Sequence, residues 1–145
     1  MSDEPYGARV LPAIYEAWTH SGMIGNIGSR LIEVGKGTLV LEANMSEERH
    51  GFPTRRGVIV HGGAIATLAD EALATVAFTL AEEGEATATS SLHVDYYLPA
   101  SAGKLIARAS VRHRTRRLAY CRATVEQEDG RVVAEGTAVI AYVRG

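Results

Sequence analysis

The chain has 145 residues, 46% of them hydrophobic and 22% charged, with 15 Gly and only 4 Pro. That balance fits one domain spanning residues 1–145 with a sizeable core, and it excludes a disordered or low-complexity chain. A formal net charge of -2 excludes a broadly basic nucleic-acid binder, so any cationic site must be local.

The lone cysteine, Cys121, rules out an intramolecular disulfide and suits a reducing compartment. The N-terminal stretch Met1-Ser2-Asp3-Glu4-Pro5-Tyr6 is acidic and lacks the charged-then-apolar pattern of a signal peptide. The most apolar stretch, residues 58–80, carries His61, Asp70 and Glu71, so no membrane span is expected. A cytoplasmic location is the expectation.

In chain order, residues 9–18 place Val10, Ile14 and Trp18 at four-residue intervals, which predicts a short amphipathic helix with Pro12 in its first turn. Residues 31–34 and 38–42 flank Gly35-Lys36-Gly37 and predict a hairpin. Residues 45–56, polar with Gly51 and Pro53, read as a loop leading into something buried. Residues 62–81 are rich in Ala and Leu and apolar on nearly all sides, which predicts a helix enclosed by protein. Glu82-Glu83-Gly84-Glu85 ends it.

The period then changes to two. Strands are predicted at 87–98, 104–114, 118–126 and 131–143, with a turn at Glu128-Asp129-Gly130. The last strand is apolar on both faces and is expected inside its sheet. Short connections imply antiparallel pairing. An α+β architecture follows, a mainly antiparallel sheet wrapped around one central helix.

The segment most able to carry chemistry runs from Gly57 to Asp70. A helix opening on Gly62-Gly63 exposes backbone N–H groups at the positive end of its dipole, where they can stabilise charge on a carbonyl oxygen. A tight strand-to-helix turn after His61 explains the same glycines equally well. Asp70 has Ala66, Ala74 and Leu73 as its helical neighbours, a costly place for a carboxylate unless it is paired or used. It therefore reads as a general base or nucleophile, or as an acid paired with an arginine across an interface. Glu71 points to another face with Thr67 and Thr75, and reads as a solvated or hydrogen-bonded structural acid.

Arg112, His113, Arg114, Arg116, Arg117 and Arg122 gather around one predicted turn, either as a solvated hairpin end or as a site for a small phosphorylated ligand. His20, His50, His61, His93 and His113 show no metal-ligand spacing, so no metal and no resident cofactor are expected. Cys121 on an alternating strand reads as a packed small hydrophobe.

Gly57-x-x-x-His61-Gly62-Gly63, Leu68-Ala69-Asp70, Thr89-x-x-Leu92-x-Val94-x-Tyr96-x-x-Pro99-Ala100 and Arg117 resemble, in order and spacing, the hotdog-fold thioesterases of the PaaI-like group. The resemblance covers residues 57–143. It implies a long helix wrapped by an antiparallel sheet, edge-to-edge homodimers that often pair again into homotetramers, and hydrolysis of acyl-coenzyme A. It also implies a site shared by two protomers. There the Gly62 N–H polarises the thioester carbonyl, His61 shapes the turn and Gly63 adjoins the substrate. Asp70 of the partner subunit acts as nucleophile or general base, and Thr89 positions the water or the acid. Arg117, with Arg116, meets the coenzyme A phosphates. Many relatives carry Asn six residues before the motif His; here that position is Arg55, which could bind an acidic acyl group or a phosphate. That departure motivates a non-catalytic acyl-coenzyme A binder as the alternative. A weaker likeness, His50-Gly51-Phe52-Pro53 to an acyl-ACP dehydratase element, implies a hydratase.

Overall fold

The structure, a computed structural model, describes residues 4–145; the first three residues of the acidic N-terminal stretch lie outside it. Two helices, α1 (Tyr6–Trp18) and α2 (Gly22–Ile27), precede a hairpin of β1 (Arg30–Gly35) and β2 (Thr38–Met45). The hairpin turns at Lys36-Gly37, with Gly37 at φ 74° as a tight two-residue turn requires. A short helix α3 (Glu47–His50) and a second hairpin, β3 (Gly51–Thr54) and β4 (Gly57–Val60), lead into the long helix α4 (Gly62–Phe78). Then come β5 (Glu85–Tyr96), β6 (Gly103–Arg114), β7 (Leu118–Gln127) and β8 (Val132–Arg144).

Six strands form one antiparallel sheet in the order β1-β2-β6-β7-β8-β5, while β3 and β4 form a separate ribbon. The sheet wraps α4, which contacts β2, β5, β6, β7 and β8. Alternation along the strands supplies the concave face: Leu39, Leu41 and Ala43 on β2, Leu105, Ala107 and Ala109 on β6, and Ala119, Cys121, Ala123 and Val125 on β7 are all buried. Against them α4 buries Ile65, Leu68, Ala69, Ala72, Leu73 and Val76. Close approach depends on small residues. A Cβ on Gly136 of β8 would lie 3.3 Å from Leu73 and 3.5 Å from Ala69. This is the hotdog arrangement that the sequence motifs implied. β8 lies inside the sheet, as its two apolar faces indicated.

Three expectations need correction. Val10 and Ile14 of α1 pack against the core as partly buried residues, but the fully buried stripe is Gly7, Ala8, Leu11 and Tyr15. Trp18 stays partly exposed, and Pro12 sits mid-helix because the helix starts at Tyr6. Gly7 sets that start: a Cβ there would lie 1.7 Å from the Phe78 carbonyl oxygen. The Gly7 and Ala8 amides donate to the Ala81 and Thr79 carbonyls (2.9 and 3.0 Å), which satisfies the open end of α4. Residues 45–56 are not a loop, since they hold α3 and β3. The ribbon turns at Arg55-Arg56, where the Thr54 hydroxyl donates to the Gly57 carbonyl at 2.6 Å. Helix α4 ends at Phe78, three residues before the expected 81.

Candidate active site

The entry to α4 is tightly organised. His61 is the N-cap, with φ -59° and ψ 135°, and its Nδ1 accepts the Gly63 N–H at 2.8 Å. An accepting Nδ1 leaves the ring proton on Nε2 in the neutral form. The Gly62 N–H, at the first helical position, has no hydrogen-bond acceptor among the described residues. Of the two glycine amides, only that of Gly62 is therefore available to a ligand, at the positive end of a 17-residue helix.

Asp70 is half-buried on α4 and accepts the Thr89 hydroxyl on Oδ1 at 2.7 Å. Its Oδ2 takes no hydrogen bond and Asp70 makes no ion pair among the described residues. One donor on one oxygen fixes the carboxylate and leaves the other oxygen free. Glu71 differs. Burial pushes its carboxyl up to about 7, the Thr75 hydroxyl (3.1 Å) works against that rise, and Asp70 adds to it. Glu71 is thus a half-buried, hydrogen-bonded acid, the second of the two forms its position allowed.

The arginine cluster divides. Burial pushes the Glu85 carboxyl up, but the Glu82 backbone N–H and Arg114 outweigh this and bring it below the usual carboxylate range. Arg114 pairs with Glu85 at 2.9 Å and stacks 3.7 Å from the Tyr142 ring centre, and Arg122 pairs with Glu135. Arg144 pairs with Glu82 at 2.9 Å. Arg116 and Arg117 make no ion pair among the described residues, and they line a cleft with Glu82, Glu85, Arg114, Tyr142 and Arg144. Arg55 sits apart, exposed at the tip of the β3–β4 ribbon.

Within one protomer the structure thus joins Asp70 to Thr89 and His61 to Gly63, while Arg55 and the Arg116–Arg117 pair stand elsewhere. It also adds Tyr96, whose hydroxyl donates to the Gly62 carbonyl at 2.6 Å. Tyr96 was visible in the sequence only as a motif position with no role attached.

His50 is buried and engaged at both nitrogens, Nδ1 accepting the Ser46 N–H (3.0 Å) and Nε2 meeting the Asn26 carbonyl (2.9 Å). It holds α2 and α3 together and offers no free nitrogen for the hydratase chemistry. Burial pushes the Cys121 thiol up to about 12, so it is a packing group. Among the described residues no cluster of His, Cys, Asp or Glu could hold a metal ion, and no helix is long and apolar enough to cross a membrane.

The thioesterase superfamily, compared as a sequence family, matches residues 57–134, from β4 through α4 into β8. The chain belongs to the thioesterase superfamily. Membership places it among thioester hydrolases. Solved structures agree on the fold. A thioesterase family protein from Silicibacter pomeroyi is 25% identical, with 93% of this chain and 98% of that chain covered and a TM-score of 0.81. The E. coli PaaI protein from the phenylacetic acid degradation operon is 21% identical, with 99% and 98% covered and a TM-score of 0.82. A phenylacetic acid degradation-related protein from Ralstonia eutropha JMP134 is 25% identical, with 94% and 98% covered and a TM-score of 0.75. No curated protein matches the sequence.

Proposed function

We propose that this thioesterase hydrolyses acyl-coenzyme A, with Gly62 of one protomer and Asp70 of the partner subunit acting on the same thioester carbonyl. The observation that carries this reading is their separation on one helix. The two positions are eight residues apart along the helix, a rise of ~12 Å at 1.5 Å per residue. A reacting carbonyl has to lie ~3 Å from both its oxyanion donor and its attacking group, which one chain does not offer. β5, which bonds both positions of α4, is an edge strand of the sheet with an unpaired side. Antiparallel pairing of two β5 strands about a two-fold axis would extend the sheet and face one helix start toward the other helix's middle.

In this reading the Gly62 N–H and the α4 dipole hold the carbonyl oxygen as it gains charge. Oδ2 of Asp70, left free by Thr89, either removes a proton from water or attacks the carbonyl carbon itself, with water then releasing the acyl-enzyme. The carbon–sulfur bond breaks, the acid takes the oxygen from water, and the coenzyme A thiolate leaves and takes a proton. Arg116 and Arg117 receive the phosphates, being the cations of their cleft that no carboxylate among the described residues neutralises. Arg55, exposed and outside every ion pair among the described residues, serves a further anionic group of the ligand. The dimer is the smallest unit this site requires.

Thiol release measured over aryl-, short- and medium-chain acyl-coenzyme A esters tests the proposal. Turnover of at least one ester is expected. Tight coenzyme A binding with no turnover across the panel would replace hydrolysis by a binding role.

A further inference from the structure

We infer that Tyr96 is a positioning residue for the oxyanion donor, clamping the Gly62–Gly63 peptide from β5; this rests on the role proposed above for the Gly62 N–H. Two consecutive glycines give α4 the softest backbone start available, free to swing through conformations other residues avoid. An oxyanion donor that swings loses most of its worth, because its advantage is being held in place before the charge develops.

The peptide joining Gly62 to Gly63 is gripped at both ends. Its N–H donates to His61 Nδ1 at 2.8 Å and its carbonyl accepts the Tyr96 hydroxyl at 2.6 Å. The neighbouring peptide, which carries the free Gly62 N–H, is held at its His61 carbonyl by the Ala64 N–H at 2.9 Å. With the planes on both sides of Gly62 anchored, its two dihedrals are restrained and the direction of its N–H is set. The Tyr96 ring adds a wall, since a Cβ on Gly62 would meet ring carbons at 3.4 Å.

A strand irregularity makes this reach possible. Thr89 and Tyr96 are seven positions apart on β5, so a regular strand would point them to opposite faces. The register of β5 on β8 shifts between Thr89 and Ser91, with Thr89 opposite Ile140 and Ser91 opposite Val139. That bulge, centred on Ser90, turns the later residues over. Thr87, Thr89 and Tyr96 consequently all bond to α4, at the Ala74 carbonyl (3.2 Å), the Asp70 carboxylate (2.7 Å) and the Gly62 carbonyl (2.6 Å). One strand thus sets both the acid and the oxyanion donor of its own helix. Because the two serve different sites of the proposed dimer, β5 links those sites mechanically.

The experiment compares Tyr96→Phe with Asp70→Asn and wild type, reading kcat and KM separately, the unfolding midpoint, and amide hydrogen exchange at Gly63. Phe keeps the ring and loses only the hydroxyl. The clamp predicts kcat lower by about 10-fold, a fraction of the loss on deleting an oxyanion donor outright. KM and the unfolding midpoint should stay at wild-type values, with faster exchange at Gly63. Wild-type kcat in Tyr96→Phe, alongside an inactive Asp70→Asn, overturns the clamp and leaves the site intact. Full activity in Asp70→Asn instead removes the proposed function. In that event accelerated Gly63 exchange in Tyr96→Phe still upholds the clamp, and unchanged exchange overturns it.

Discussion

Glu71 makes the protein's stability depend on pH in an unusual direction. Its carboxyl lies on α4 with Tyr15 of α1, Asp70 and Thr75 as its polar surroundings and no ion pair among the described residues. Burial raises it from 4.5 to about 7. The folded chain therefore holds this proton more tightly than the unfolded chain. The stabilisation is fully present below pH 4.5 and is lost as pH rises through about 7. At about 1.4 kcal/mol per unit, a shift of this size costs ~3 kcal/mol by pH 8. Glu71→Gln keeps the shape and the acceptor for Thr75 while removing the ionisation. Urea unfolding of both proteins at one protomer concentration, from pH 4 to pH 8, isolates the effect because the other titrations cancel in the difference. The variant should be close to wild type at pH 4 and more stable by up to ~3 kcal/mol at pH 8. A difference that does not change with pH would refute the reasoning.

Three further outcomes are expected. Thr89→Ala removes the hydroxyl that holds Asp70 Oδ1, and a hydrogen bond to a charged group is worth ~1.5–3 kcal/mol; kcat should fall about 10- to 100-fold in steady-state thiol release. Arg116→Ala combined with Arg117→Ala should raise KM for coenzyme A esters about 10-fold, with kcat and the KM of a thioester lacking the nucleotide unchanged. Gly7→Ala should destabilise by about 4 kcal/mol or more, read as a lower urea midpoint, because its Cβ would lie 1.7 Å from the rigid Phe78 carbonyl oxygen.

Much of this was legible in the sequence because hydrophobic period reports burial. The all-round apolar run starting at Gly62 could only be an enclosed helix, and the two-residue alternation after it could only be a sheet. Asp70 separated from Glu71 by angle around that helix. Residues 45–56 misled because β3 and β4 form a two-stranded ribbon outside the main sheet, where Pro53 is tolerated and no strong alternation is imposed. The buried face of α1 was only partly legible. Val10 and Ile14 do pack against the core, but the most buried residues, Leu11 and Tyr15, lie one position further on, and Gly7 and Ala8 beside them carry no hydrophobic bulk to mark the face. The role of Tyr96 stayed hidden for another reason. Side-chain parity along β5 depends on the bulge at Ser90, which no residue type announces. The arginines looked like one cluster, but the sequence does not show that Glu85 and Glu135 neutralise Arg114 and Arg122 and leave Arg116 and Arg117 without an ion pair among the described residues.

The central claim, that Gly62 and Asp70 of different chains serve one site, has a direct test in mixed dimers. Asp70→Asn removes the reacting carboxylate. Gly62→Pro removes the free N–H at a first helical position that accepts proline, following a residue already at ψ 135°. Each variant alone should be inactive. Unfolding and refolding the two together makes half the dimers mixed, each with one site carrying both intact groups, so activity should return to about a quarter of wild type. No recovery from dimers shown to be mixed would contradict the shared site.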